Sequence, residues 1–139
     1  MKGMFFYLVV FLTMVTLGSC SLDNDDVNFE FAYLQIVNVE VPESFEFENT
    51  YKINVTYLRS DECTFFQRFD VAKTGETTRE FVVIGSVLTD EEQCTEVNQE
   101  IETSFDFQVL YSDTYFFKFW TGEDENGNPQ FIEVEVPVN

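Results

Sequence analysis

The chain has 139 residues, with 26 acidic side chains against 7 basic ones and no histidine, giving a net charge of −19. Without histidine, Ser-His-Asp, Cys-His and histidine-zinc chemistries are excluded. The charge disfavours nucleic acid and anionic lipid head groups as partners.

The first segment is apolar. Lys2 supplies a short positive start, and Met4 to Leu17 form an apolar run broken only by Thr13 and Thr16. Such a run is short for a bilayer span and fits the hydrophobic part of a secretory signal. Small residues follow at Gly18 and Ser19, and then Cys20. Leu17-Gly18-Ser19-Cys20 resembles the lipobox of bacterial lipoproteins. That resemblance implies cleavage after residue 19, a diacylglycerol on the Cys20 thiol and an acylated new amino terminus. Two or three acyl chains anchor a domain to a membrane with no transmembrane helix.

Residues 20–28 then form a polar tether, with Ser21-Leu22-Asp23-Asn24-Asp25-Asp26 at its centre. It resembles the Ser/Asp-rich segment behind the lipidated cysteine of surface-exported lipoproteins of the Bacteroidota. This implies an outer-membrane, surface-exposed protein. Removing residues 1–19 takes away one basic side chain, Lys2, and no acidic one, so 120 residues with a net charge of −20 remain. That length suits one domain, residues 29–139.

Two further cysteines, Cys63 and Cys94, belong to a chain whose signal directs it to an oxidising compartment, so a disulfide between them is expected. Period-two alternation dominates beyond the tether. Tyr51, Ile53, Val55 and Tyr57 alternate with Lys52, Asn54 and Thr56, the pattern of a half-buried strand. Comparable runs span 29–41, 51–59, 64–72, 78–87, 104–110, 115–121 and 130–137. The apolar phase of the first shifts between Tyr33 and Val37, which implies a bend or bulge. Gly75 and Gly127 fall in hairpin turns, Pro42 ends the first run, and Thr89-Asp90-Glu91-Glu92 fits a single capped helical turn. Seven short strands with regular turn signals indicate an all-β antiparallel sandwich.

Asp113-Thr114-Tyr115-Phe116-Phe117 resembles the opening of the sixth strand in immunoglobulin-like domains, where the tyrosine hydroxyl ties back to nearby backbone. The antibody-type cysteine pair is missing, because Cys63 precedes the third strand and Cys94 the fifth. The resemblance implies a seven-stranded immunoglobulin-like β-sandwich and nothing about activity.

No motif nominates a nucleophile or a base, so the chain is expected not to be an enzyme and to need no cofactor. Asp124, Asn126 and Asn128 alternate like calcium-loop ligands, but Gly127 is out of place for such a loop and a hairpin turn explains the segment better. A Cys63–Cys94 bond would bring Asp61 and Glu62 towards Asp90, Glu91 and Glu92; solvated loops are the favoured reading, and no metal site is assigned. The candidate binding face follows from parity. Lys118 is expected to face outwards, taking Phe116 and Trp120 with it, and Arg68 to take Phe66. In an immunoglobulin-like sandwich the third and sixth strands are neighbours, so Phe66 and Arg68 would approach Phe116, Lys118 and Trp120. Aromatic rings beside cations suit an apolar or acidic protein surface or the flat face of a sugar. The expectation is a lipid-anchored binding or structural module at the cell surface. An accessory lipoprotein inside the envelope, docked to a membrane or secretion complex, is the alternative, and a carboxylate-based hydrolase a more remote one.

Overall fold

A computed structural model describes residues 28–90 and 93–139. Cys20, the apolar segment before it, nearly all of the tether, and Glu91 and Glu92 of the expected helical turn lie outside the described residues. The described chain forms eight strands: β1 (Phe29–Leu34), β2 (Ile36–Glu40), β3 (Thr50–Asp61), β4 (Thr64–Lys73), β5 (Thr78–Leu88), β6 (Glu96–Gln108), β7 (Tyr115–Glu123) and β8 (Pro129–Val136). They make two packed sheets, one of β2-β3-β6 and one of five strands centred on β5. The chain is therefore an all-β sandwich.

The eighth strand arises because the first apolar run divides. Leu34 and Ile36 are both buried with Gln35 exposed between them, and the apolar phase changes just after Ile36, where the β2–β3 register slips. β1 pairs with β5 in one sheet, and β2 pairs with β3 in the other. The backbone carbonyl of Gln35 accepts from the N–H of Leu58 at 2.8 Å, which holds the crossing point. The fifth expected run is also longer than its apolar residues suggest, starting at Glu96 rather than Ser104. Its outward positions include Glu100, Glu102, Ser104, Asp106 and Gln108, and the whole length pairs antiparallel with β3. Partner pairing, not its own hydrophobicity, extends this strand.

β5 has three neighbours. β4 runs antiparallel along one side. The other side is divided, with residues 83–88 pairing antiparallel with β1 and residues 78–81 pairing parallel with β7. β8 completes the sheet beside β7. The third and sixth of the seven expected runs, β4 and β7, are thus separated by β5, and the expected direct contact between them is corrected.

The core is aromatic. Phe45, Phe81, Tyr115, Phe117 and Phe119 are essentially inaccessible. Phe81 stacks on Phe119 at 4.8 Å and meets Phe117 edge-on at 5.3 Å. Each such ring contributes roughly 1.5–3 kcal/mol by burial, and edge-to-face contacts add to it. Phe45 comes from the connection between β2 and β3 and closes one end of the sandwich. Its N–H donates to the carbonyl of Pro137, and its carbonyl accepts from the N–H of Asn139, both at 2.8 Å. At the corner between β6 and β7, the N–H groups of Leu110 and Tyr111 both donate to the buried Tyr115 hydroxyl at 3.1 Å.

Cys63 and Cys94 are joined by a disulfide with Cα atoms 5.6 Å apart. It ties the tight β3–β4 turn to the segment entering β6. In the same turn the Asp61 carboxylate accepts from the Cys63 N–H at 3.0 Å and the Thr64 hydroxyl at 2.7 Å.

Candidate binding face

The outward side of the five-stranded sheet carries most of the exposed aromatic surface. In β1, inward Leu34 is buried, while Phe29, Phe31 and Tyr33 are 51%, 60% and 64% exposed. In β7, Tyr115, Phe117 and Phe119 fill the core, so Phe116, Lys118 and Trp120 alternate onto the outer side. Trp120 is half-buried, with its ring edge-on to Tyr33 at 5.6 Å. Lys118 lies 3.4 Å from the Glu133 carboxylate and over the Phe131 ring of β8.

Phe66 does not join this face. The β4–β5 register slips between Phe66 and Arg68, so the extra residue, Gln67, breaks the parity that would have put both on one side. Phe66 turns inward and stacks on Tyr57 at 5.8 Å, with Phe69 edge-on at 5.5 Å. The expectation that Phe66 faces outwards is overturned by this bulge. Arg68 stays outside, 5.5 Å above the Phe31 ring. Arg68 pairs with β5 at Ile84, level with Tyr33 of β1, whereas β7 pairs with residues 78–81, so Arg68 meets β1 aromatics rather than Lys118. Arg68, Phe116, Lys118 and Trp120 share a sheet face, and the rings bridging from Arg68 to Trp120 are Phe31 and Tyr33. The Phe29-x-Phe31-x-Tyr33 alternation carried the signal for these rings, but the phase shift behind Tyr33 leaves open which half of the run faces outwards.

Between β1 and β4 this face is indented. A groove of about 380 Å³ is lined by Phe31, Ala32, Tyr33, Arg68, Asp70 and Ile84. Ile84 lies between Tyr33 and Arg68 in the pairing register and forms the buried floor. A smaller indentation of about 230 Å³ follows β7 and β8 around Phe116, Lys118 and Glu135.

The basic side chains differ in how far the protein already uses them. Lys52 pairs with Asp106 and Lys118 with Glu133. Lys73 donates to the Tyr111 hydroxyl, Arg59 to the carbonyl of Asp61, and Arg79 to three carbonyls of the β4–β5 hairpin. Among the described residues, Arg68 alone of these cations makes neither a hydrogen bond nor an ion pair.

Carboxylates with perturbed acidity serve turns. The Thr64 hydroxyl, then Ser60 and the neighbouring backbone, hold Asp61 below the usual carboxylate range despite some desolvation. Backbone and side-chain bonds from Asn28 do the same for Asp90, and those from Asn128, with help from the Asn126 N–H, for Asp124. The Asp124-to-Asn128 segment is thus a self-satisfied hairpin turn, with Asn126 and Asn128 N–H groups donating to one Asp124 oxygen at 2.8 and 2.9 Å. Among the described residues, no group of three or more acidic or cysteine side chains converges as metal ligands do. No family model, curated protein or solved structure matches the chain.

Proposed function

We propose that this protein is a lipid-anchored binding module of a bacterial outer membrane, held through Cys20 and displayed at the cell surface. Residues 1–19 are a signal peptide, residues 20–28 the lipidated cysteine and tether, and residues 29–139 the working domain. The observation that carries the binding role is the outer face of the five-stranded sheet, where the exposed rings of β1 lie beside Arg68 and continue through Trp120 to Phe116 of β7. A soluble domain seldom leaves contiguous aromatic surface exposed without a partner for it. The disulfide fits an oxidising compartment. The stretch from Cys20 to Asn28 reaches at most roughly 26–29 Å when fully extended, so the domain stays close to the lipid.

The sandwich is read as an immunoglobulin-like variant. The Tyr115 corner supports that type, and the parallel pairing of β5 with β7 is its main departure. No catalytic role is assigned. Metabolic labelling with a radioactive fatty acid should mark the wild-type protein and leave Cys20→Ala unlabelled. Protease shaving of intact cells should remove the domain. An unlabelled wild type would overturn the anchor, and a labelled domain resistant to shaving would place it inside the envelope as an accessory lipoprotein.

A further inference from the structure

We infer that the groove between β1 and β4 is a subsite for a neutral carbohydrate, with one sugar ring lying against Phe31 and Tyr33 and its hydroxyls held by Arg68 and Asp70. The inference deepens the binding role proposed above and rests on the outer face being the functional one.

The ligand chemistry follows from the lining. Phe31 and Tyr33, two residues apart on one strand, present adjacent rings at 60% and 64% exposure. Such rings offer apolar faces to flat ligands, and Ile84 beneath them keeps the floor dry. The opposite wall is polar. Arg68 brings a guanidinium with five N–H donors, fixed by the Phe31 ring and unused by any other protein group among the described residues. Asp70, two residues further along the same strand, brings an acceptor-only carboxylate to the same groove. Neither side chain bonds the other, so both remain available.

A donor fork and an acceptor beside an aromatic wall match a ring with apolar C–H faces and a hydroxyl-bearing rim, because each hydroxyl both donates and accepts. Charge narrows the class. Asp70 offsets Arg68 locally, and the net charge of −19 repels anions, so an acidic ligand gains little from the arginine. A cation is attracted by the overall field but meets Arg68 in the groove. The volume, about 380 Å³, lies near the lower end of small-ligand sites, roughly 300–1,000 Å³. By contrast, the groove between β7 and β8 has its cation, Lys118, already paired with Glu133.

The protein contains its own reporter. Trp120 is the single tryptophan, and its ring touches Tyr33. The experiment titrates the purified protein with cellohexaose, maltohexaose, xylohexaose and mannohexaose, following Trp120 fluorescence and the heat of binding in parallel. At least one should bind at millimolar or better with a fluorescence change. Tyr33→Ala and Arg68→Ala should each weaken binding by about tenfold or more. Phe47→Ala, an exposed ring in the β2–β3 connection outside the groove lining, should leave affinity unchanged. The fold of each variant is checked by its unfolding midpoint, and Tyr33→Leu replaces Tyr33→Ala if the latter unfolds.

No binding by all four sugars overturns the inference. So does binding that is indifferent to Tyr33 and Arg68, or tighter binding of oligogalacturonate than of the neutral sugars. Either adsorption to phosphatidylcholine vesicles or self-association, if abolished by Tyr33→Ala, would give the face a different occupant and overturn it equally. These outcomes are independent of lipid labelling at Cys20. A protein partner captured through Tyr33 without any sugar binding would keep the binding face and remove only the carbohydrate.

Discussion

Asp61 illustrates what a carboxylate can do without being catalytic. Its oxygens accept from the Ser60 and Thr64 hydroxyls and from the Cys63 N–H, all in the turn that carries the disulfide. These bonds favour the ionised form and lower the folded-state pKa, the Thr64 hydroxyl most of all. The unfolded carboxyl titrates at about 3.9. Stability from the shift is therefore complete above that value and is lost as the pH falls through the lowered folded pKa. Asp61→Asn should be less stable than wild type at pH 7, and the gap should close in acid. Urea unfolding of both proteins at pH 7 and near pH 3 measures it; an equal gap at the two values would mean that ionisation of Asp61 contributes nothing.

Close packing between β1 and β5 depends on Gly85. A Cβ at that position would lie 2.7 Å from Leu34 Cδ1 and 2.9 Å from Leu34 Cγ, against a side chain that is itself part of the core. Gly85→Ala should cost about 1–3 kcal/mol, as overpacking in a filled core does. Combining it with Leu34→Ala should give a double variant more stable than the sum of the single losses implies, because the methyl then occupies vacated space. Strict additivity in denaturant unfolding would show that the two sites do not touch.

The same strands show what the sequence could and could not disclose. Alternation in Tyr51-x-Ile53-x-Val55-x-Tyr57 made β3 legible, since one face packs on the core and the other is polar. The phase shift after Tyr33 announced a break in the first run, but the transfer of β2 to the second sheet depends on partners in β3, beyond the intervening connection. Gln67 hid the bulge. An extra residue in an alternating run has no mark of its own, and it reversed Phe66 relative to Arg68. β6 was half legible, because outward acidic residues mask a strand that its neighbour defines. The candidate face was correspondingly partial. Arg68, Phe116, Lys118 and Trp120 follow from local charge and parity, whereas Phe31 and Tyr33 enter through the pairing of β1 with β5.

At one end of the β3–β6 ladder, a covalent link fastens the turn into β4 to the segment entering β6. The Cys63–Cys94 bond spans 31 residues of sequence and encloses all of β4 and β5. In the chain-entropy description a loop of that size restricts the unfolded state by about 3–4 kcal/mol. The Cys63→Ser, Cys94→Ser double variant should lose stability of that order in urea unfolding, and mass analysis of the unreduced wild type should find the two residues linked. Free thiols in protein from an oxidising compartment would refute the link. The acidic surface magnifies the effect, since a chain of net charge −19 repels itself in the compact state and has less stability to spare at low salt.

Asn28 is where mechanical tension along the tether would enter the fold. Its side-chain amide and its N–H both donate to the Asp90 carboxylate at 2.9–3.0 Å, and its carbonyl accepts from Thr89, so the start of β1 is fastened before the ladder with β5 begins. Phe31 and Tyr33 stand on that same strand. Under the proposed anchoring through Cys20 and the proposed ligand on those rings, the line of force would run along the six residues of β1 and their hydrogen bonds to β5. The aromatic interior lies off that line. A domain arranged in this way can be tugged by what it holds without straining the packing that keeps it folded.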